Sequence, residues 1–309
     1  MNIAFLSTIE TPERWLPLLE QALPQERFFV WPEIGDPAAI DIAFTAQPPA
    51  GALARLPNLK LVQSMWMGVD GLLADPSLPR HVPLARCIDP GMVSAMSESV
   101  LSHVIDFHRH HYVYRRQQAA AEWKRLPQYM AADRTVGLLG LGELGSVVGA
   151  VLRAFGFKVL GWSRRPKSVI GVASYAGTDG LMQMLPLCGI VVCLLPLTPE
   201  TRGILNARTL ALLPMGAAVV NVARGAHVVD ADLLEALDSG QVAQAYLDVF
   251  ATEPLPAGHR YWKHPGVFMT PHSAALTEPR TATLMIAQNI ERLRSGRAPL
   301  ALVDIEAGY

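Results

Sequence analysis

The sequence predicts an α/β protein built from two doubly wound domains, and two observations support this prediction. Short apolar runs alternate with segments of helical spacing along the chain, and strands that alternate with helices form parallel sheets covered on both faces. The chain has 309 residues, which is beyond the size at which a single hydrophobic core stops growing. Half of the residues are hydrophobic and 17% are charged, as is typical of a compact globular protein rather than a disordered one.

The first 96 residues predict a small α/β domain. Apolar runs at 3–6 and 59–63 are separated by proline-rich turns, the pattern of short strands between loops. Residues 98–118 contain no proline or glycine and predict a helix. No carboxylate or thiol lies at ligand spacing beside its His-Arg-His-His run at 108–111, so we expect a solvated or subunit-facing helix and no metal site.

A strand–helix–strand unit of about 30 residues begins at Thr135. Residues 135–139 predict a buried strand, the apolar residues from Leu144 to Phe155 fall at helical spacing, and Gly156 ends that helix. Residues 158–162 predict the parallel strand. Further strands are predicted at 190–195, 217–222, 245–249 and 267–270. Predicted helices are one from the cap Asp230 to Gly240 and a last one at 278–293.

These elements predict two domain ranges. The dinucleotide-binding domain is expected at 97–272, where strands and helices alternate regularly. The substrate domain is expected at 1–96, completed by 273–309, because the last helix lies beyond the last strand and could return to the first domain.

Residues 140–145, Gly-Leu-Gly-Glu-Leu-Gly, fit the spacing G-x-G-x-x-G. A lone match is weak, but this one follows a predicted strand and opens an amphipathic helix, the context of a dinucleotide fingerprint. Gly140 would permit the tight turn, Gly142 the approach of a pyrophosphate, and Gly145 close packing of helix on strand. The alternative is a glycine-rich turn without a ligand.

The second strand of this unit is followed by Ser163, Arg164 and Arg165, where an NAD enzyme places an acidic residue for the ribose 2′-hydroxyl. Guanidinium groups match phosphate, so the turn favours NADP, with NAD as the weaker alternative. A merely solvated basic turn is the structural alternative.

Arg224, Glu253 and His272 each follow a different predicted strand, at the edge where ligands bind in open α/β sheets. Reduction of a 2-keto acid needs a cation for the carboxylate, a proton donor for the developing alkoxide, and a partner that stabilises the charged donor. Taken singly, the three could instead be a capping ion pair, a solvated loop acid and a packing histidine.

Five motifs in order give the sequence a specific resemblance. They are the glycine fingerprint, 195–203 (LPLTPETRG), 221–225 (NVARG), 248–256 (DVFATEPLP) and 270–274 (TPHSA). Together they resemble the D-isomer specific 2-hydroxyacid dehydrogenase family over essentially the whole chain. Within that family, residues 161–165, 89–92 and the terminal Gly308 and Tyr309 are similar to members that reduce glyoxylate and hydroxypyruvate. This order of motifs favours chemical roles for Arg224, Glu253 and His272 over the three structural alternatives given above.

The resemblance implies a Rossmann-type dinucleotide-binding domain and a smaller flavodoxin-like substrate domain. It implies that Arg224 binds the substrate, that His272 is the acid–base residue and that Glu253 holds it. The residues it implies for the cofactor are Gly140, Gly142, Glu143, Leu144, Gly145, Ser163, Arg164, Arg165, Leu195, Pro196, Thr201, Val222, Ala223, Asp248, His272 and Ala274. The residues it implies for the substrate are Trp66, Met67, Gly68, Val69, Arg224 and His272.

Trp66 is a departure from the family pattern, which has a small residue at that position, while similar reductases have an aromatic residue near Ala46. The bulk of Trp66 and Met67 beside Gly68 predicts a pocket for two- or three-carbon acids. The alternatives are a reductase of a larger 2-keto acid and a dinucleotide-sensing binding protein without turnover.

Charge and cysteine content limit the partners. The net charge of −1 gives no reason to expect nucleic acid or an anionic membrane, and no apolar stretch approaches the ~20 residues that span a bilayer. Cys87, Cys188 and Cys193 form neither an even disulfide set nor a CxxC pair, which favours reduced thiols in the cytoplasm. A homodimer is expected from the family resemblance.

Overall fold

The computed structural model describes residues 1–308. The chain folds into two compact units. The smaller unit contains Met1–Met92 together with the chain from Leu276 onward, and the larger unit contains Val93–Ala275.

Twelve strands and nine α-helices make up the regular structure of residues 1–308. The strands are β1 (Asn2–Ser7), β2 (Arg27–Val30), β3 (Ile42–Ala46), β4 (Leu61–Ser64), β5 (Leu84–Ala85), β6 (Thr135–Leu139), β7 (Lys158–Ser163), β8 (Ala173–Ala176), β9 (Ile190–Cys193), β10 (Ala217–Asn221), β11 (Val242–Leu247) and β12 (Val267–Met269). The helices are α1 (Pro12–Ala22), α2 (Asp70–Ala74), α3 (Pro90–His108), α4 (His111–Ala119), α5 (Glu143–Ala154), α6 (Gly177–Met184), α7 (Ala207–Leu210), α8 (Asp230–Asp238) and α9 (Pro279–Arg294).

The smaller unit has a parallel five-stranded sheet of order β2-β1-β3-β4-β5. This is the strand order of flavodoxin-like folds. One apolar cluster joins the sheet to α1 and α9, and a second covers the other face with residues of α2 and the loops. Helix α9 therefore packs within this unit although it lies at the other end of the chain.

The larger unit has a parallel seven-stranded sheet of order β12-β11-β10-β9-β6-β7-β8. Counted from β6 as its first strand, this is the order 3-2-1-4-5-6 of the Rossmann fold with one additional strand. Apolar clusters cover both faces, so the predicted doubly wound fold is confirmed. Among the strands of this seven-stranded sheet, β8 alone was not predicted, because this edge strand is short and half exposed and has no apolar run.

The single helix predicted at 98–118 is wrong. The structure has α3 and α4 with a break at His110, which has a left-handed φ of 59°. His103 and His108 are buried rather than solvated, since His103 stacks on Tyr246 at 5.1 Å and His108 meets Phe157 edge-on at 5.1 Å. The absence of proline and glycine predicted a helix but could not show that two of its histidines are buried.

The described residues contain three buried cysteines that form no disulfide, and burial raises the pKa of each thiol to about 12. Within residues 1–308, no helix has the length and apolar character needed to cross a membrane. The same residues hold no group of three or more potential metal ligands in a suitable arrangement.

Candidate active site

The glycine loop connects β6 to α5. Gly140 has φ of 110°, a conformation that favours glycine, and its N–H donates to the Trp162 carbonyl of β7. A Cβ on Gly145 would lie 1.9 Å from the Gly140 carbonyl oxygen. Gly145 is therefore required for the first turn of α5 to pack against the end of β6.

Gly142 has a different environment from the other two glycines. It is the N-cap of α5, has an ordinary φ of −79°, and provides no capping side chain. A Cβ at this position would meet no protein atom within 4 Å. Since the fold does not require glycine here, the open space above the helix N-terminus fits a dinucleotide pyrophosphate. Glu143 and Leu144 form the first turn of α5 beside it.

The basic turn follows the carboxyl end of β7. Arg164 and Arg165 are exposed, whereas Ser163 is buried and its hydroxyl donates to the Arg165 carbonyl at 2.7 Å. Lys167 returns to the glycine loop and donates to the Leu141 carbonyl at 3.2 Å. Three cationic side chains therefore belong to a segment that is tied to the glycine loop.

Arg224 lies in the loop after β10, and buried polar side chains fix its backbone. The Asn221 amide donates to the Arg224 carbonyl at 2.9 Å, and the Arg224 N–H donates to Nδ1 of His227 at 3.2 Å. His227 is fully buried, and its Nε2 lies 3.2 Å from the Pro196 carbonyl. Nε2 donates to this carbonyl when Nδ1 accepts from Arg224. The partly exposed guanidinium donates to the Ala223 carbonyl at 2.7 Å.

Gly225 brings the Arg224 loop against the loop after β11. A Cβ on Gly225 would lie 1.8 Å from the Phe250 carbonyl carbon, so only glycine permits this approach. The Phe250 N–H in turn donates to Oε1 of Glu253 at 2.9 Å. The loops that carry Arg224 and Glu253 are therefore neighbours through their backbones.

Glu253 and His272 form a direct pair. Nδ1 of His272 lies 2.7 Å from Oε2 of Glu253, and their side chains are 50% and 36% exposed, respectively. Because Oε1 of Glu253 is occupied by the Phe250 N–H, the carboxylate is oriented before it meets the imidazole. An imidazole that is bonded through Nδ1 has Nε2 as its proton-transfer atom.

Asp248 anchors the loop that carries His272. Its carboxylate is 2% exposed and accepts from the Thr270 hydroxyl at 2.6 Å, the Ser273 N–H at 2.8 Å and the Ala274 N–H at 3.0 Å. The His272 N–H donates to the Asp248 carbonyl, and His272 has a left-handed φ of 51°. Buried hydrogen bonds on both sides thus hold His272 in a conformation that costs free energy in a non-glycine residue.

The other residues expected at the cofactor lie on neighbouring loops of the same unit. Leu195 and Pro196 follow β9, and Val222 and Ala223 follow β10. The Thr201 hydroxyl donates to the Pro196 carbonyl at 2.7 Å and accepts from the Thr198 N–H at 2.8 Å. Thr201 therefore shapes this turn from within, whereas Asp248, which follows β11, holds the neighbouring loop after β12.

The expected substrate loop, residues 66–69, lies in the smaller unit between β4 and α2. The Ser64 hydroxyl accepts from the Trp66 N–H at 3.0 Å and lies 2.9 Å from its carbonyl, and the Cys87 N–H donates to the same carbonyl at 3.0 Å. Trp66, Met67 and Gly68 are partly exposed, whereas Val69 is buried.

A family model described as D-isomer specific 2-hydroxyacid dehydrogenase, NAD binding domain, matches residues 101–274. The chain belongs to this family. It is 44% identical to glyoxylate/hydroxypyruvate reductase A of Serratia proteamaculans over the full length of both chains.

Two solved structures are similar over the whole chain. A D-isomer specific 2-hydroxyacid dehydrogenase from Xanthobacter autotrophicus, in complex with NADPH and MES, is 42% identical with a TM-score of 0.96, over 100% of this chain and 99% of that one. An NADPH-dependent glyoxylate/hydroxypyruvate reductase from Sinorhizobium meliloti, in complex with NADP and sulfate, is 37% identical with a TM-score of 0.93 and the same coverage.

Sequence reasoning missed the residues that hold the site in place. Asn221, His227 and Thr270 contact Arg224 or the His272 loop, but none of them was singled out for a role. A signal existed for Asn221, which is a polar residue at the end of an apolar strand. His227 gave no such signal, because its burial depends on packing against the distant turn at Pro196.

Proposed function

We propose that this chain is an NADPH-preferring reductase of small 2-keto acids, glyoxylate and hydroxypyruvate, to the corresponding 2-hydroxy acids. The observation that carries the proposal is the 2.7 Å contact between His272 Nδ1 and Glu253. A carboxylate on Nδ1 stabilises the imidazolium and orients Nε2 as a proton donor. The full-length likeness to a glyoxylate/hydroxypyruvate reductase supports the substrate class.

Each residue then has a defined part in the reaction. The bound nicotinamide cofactor supplies the hydride. Arg224 binds the substrate carboxylate and polarises its carbonyl, His272 donates the proton to the developing alkoxide, and Glu253 stabilises the charged imidazole. The loop at 66–69 of the smaller unit is proposed as a substrate-binding loop through the backbone N–H groups of residues 67–69.

Cofactor preference rests on the larger unit. The glycine loop and the open position at Gly142 would hold the pyrophosphate, and Ser163, Arg164 and Arg165 the 2′-phosphate. Asp248, Thr201 and the residues around Leu195, Val222 and Ala274 would support the remainder of the dinucleotide. The NADPH and NADP complexes of the two similar structures support NADP over NAD.

The test is an NADPH-oxidation assay with glyoxylate, hydroxypyruvate, pyruvate and phenylpyruvate, repeated with NADH. We expect the highest kcat/KM with NADPH and one of the first two acids. A higher kcat/KM with phenylpyruvate would contradict the small-acid assignment. Binding of NADPH without turnover of any acid would instead identify a dinucleotide-sensing protein.

We further propose a cytoplasmic homodimer. Reduced thiols fit the cytoplasm, and all three cysteines are buried and form no disulfide. The homodimer is expected from the family resemblance. Sedimentation equilibrium would measure the mass of the assembly, and a monomer at micromolar concentration would contradict the dimer.

A further inference from the structure

Two tryptophans of the smaller unit share one carboxylate. Oε1 of Glu10 accepts the indole N–H of Trp66 at 3.1 Å, and Oε2 accepts the indole N–H of Trp15 at 3.0 Å. The Glu10 side chain is only 14% exposed. Because a buried carboxylate is stable only when its oxygens are satisfied, each of these two bonds offsets part of the cost of burying Glu10.

The backbone of Glu10 is fixed as firmly as its side chain. Glu10 follows β1, and its N–H donates to the Ser7 hydroxyl at 2.8 Å. That hydroxyl donates to the Ala46 carbonyl at the end of β3 at 2.7 Å. The carboxylate is therefore attached to the edge of the sheet where β1, β3 and β4 end.

Trp15 supplies a rigid support on one side of this carboxylate. Its side chain is fully buried, and its ring meets Phe44 edge-on at 5.3 Å with an interplanar angle of 72°. Arg14 lies 3.6 Å from Oε2 on the solvent side, which partly offsets the negative charge. The other carboxylate oxygen, Oε1, therefore accepts the N–H of Trp66 from a fixed position.

Trp66 differs from Trp15, because its backbone is fixed but it is not fully buried. Ser64 and Cys87 hold its N–H and carbonyl, while the side chain is partly exposed. A partly exposed indole can adopt several rotamers. The bond from its N–H to Glu10 selects one of them.

We propose that Glu10 is a positioning residue that fixes the ring of Trp66 and thereby limits the size of the 2-keto acid that the loop at 66–69 admits. This inference rests on the proposed function of that loop in substrate binding. It assigns the specificity not to the bulk of Trp66 alone but to the carboxylate that prevents the ring from moving aside.

The chemistry requires a carboxylate at this position. Two N–H donors face Glu10, and a carboxylate has acceptors only. Glutamine has nearly the same shape but presents one oxygen and one NH₂ group, so one indole N–H would meet another donor. Glu10→Gln therefore breaks one of the two bonds with little change in volume. The amide oxygen is expected to stay on Trp15, whose N–H is buried away from water, so the bond that is lost is the one to the partly exposed Trp66.

The test compares Glu10→Gln with Glu13→Gln, an exposed glutamate three residues further along the chain. The readout is kcat/KM for phenylpyruvate divided by kcat/KM for glyoxylate, with pyruvate as an intermediate size. We expect Glu10→Gln to raise this ratio about tenfold, mainly through a lower KM for phenylpyruvate, and Glu13→Gln to leave it within twofold.

Two further variants separate positioning from a general loss of stability. Trp15→Phe removes the support bond while Oε1 keeps its bond to Trp66, so its Tm should fall while the ratio stays within threefold. In a Trp66→Phe background, position 66 has no indole N–H for Glu10 to hold, and only the bond from Trp15 remains. There, Glu10→Gln should change the ratio by less than twofold.

A ratio unchanged in Glu10→Gln would overturn the proposal, and so would an equal change in the Trp66→Phe background. Failure of the proposed function has a different signature. If the wild-type protein reduces neither glyoxylate nor hydroxypyruvate with NADPH, both proposals are wrong. If the wild type reduces glyoxylate and only the ratio is insensitive to Glu10, the proposed function stands and the role of Glu10 is rejected.

Discussion

The glycine loop and the loops that carry Arg224, Glu253 and His272 are built by opposite means, although both follow strands of the same sheet. The glycine loop depends on the absence of side chains, since a Cβ on Gly145 would lie 1.9 Å from the Gly140 carbonyl oxygen. The other loops depend on buried polar side chains, such as Asp248, which holds three donors. The geometry of the glycine loop is therefore determined by local sequence, whereas the arrangement of Arg224, Glu253 and His272 needs groups from distant segments.

The largest expected effect lies in the polar loops. His272→Gln should lower kcat for glyoxylate reduction by about a thousandfold, because the amide cannot donate a proton to the alkoxide. The Kd for NADPH, measured by fluorescence titration, should change by less than threefold. A kcat within tenfold of wild type would show that another group donates the proton.

Two alanine substitutions in the glycine loop should have different consequences. Gly145→Ala forces a Cβ against the Gly140 carbonyl and should lower the free energy of unfolding by about 1–3 kcal/mol or more. Gly142→Ala meets no protein atom, so its free energy of unfolding should be unchanged or slightly higher. Its KM for NADPH should rise tenfold or more, equivalent to about 1.4 kcal/mol. Urea unfolding and steady-state kinetics measure both, and a normal KM for Gly142→Ala would refute the open-space argument.

The basic turn at 163–165 combines a backbone that is held by the Ser163 hydroxyl with the exposed side chains of Arg164 and Arg165. Replacing Arg164 and Arg165 together with glutamine should raise the KM for NADPH about tenfold to a hundredfold, because charge-assisted bonds to the 2′-phosphate are lost. The KM for NADH should remain within twofold. Lys158→Gln, an exposed cation at the other end of β7, is the control and should change neither constant. Equal losses for both cofactors would mean that the arginines do not read the 2′-phosphate.

The smallest effect concerns stability at acidic pH. Burial lowers the pKa of His103 below 6.5, although Asp248 and Asp106 act in the opposite direction. Because the pKa of His103 is lower in the folded state than in the unfolded state, neutral His103 contributes to the stability of the folded protein above pH 6.5. That contribution is lost as the pH falls from 6.5 through the pKa of His103 in the folded protein. Replacing His103 with glutamine should make the Tm fall less steeply between pH 6.5 and 5. An unchanged slope would assign the acid sensitivity to other groups.

Local sequence was sufficient to predict the structure of segments whose folding depends on residues close together in the chain. The strand at 135–139, the glycine loop and the helix after it could be predicted because periodicity, turn residues and spacing agree within about 30 residues. The order of five motifs also indicated the family, because each motif is a short contiguous run. Arg224, Glu253 and His272 could be proposed together because each follows a strand, and parallel strands of one sheet end at the same edge.

Tertiary structure decided what holds those residues. Only packing could show that His103 and His108 are buried, that His227 links Arg224 to the turn at Pro196, and that Glu10 connects Trp15 to Trp66. Most of these contacts join residues distant in sequence. Neither the type of a residue nor its position in a periodic pattern indicates which distant residue it contacts. The sequence by itself determined the fold class, the fingerprint and the chemistry of the candidate residues. Their orientation was decided by buried hydrogen bonds, which form only when the segments meet in a water-excluding core.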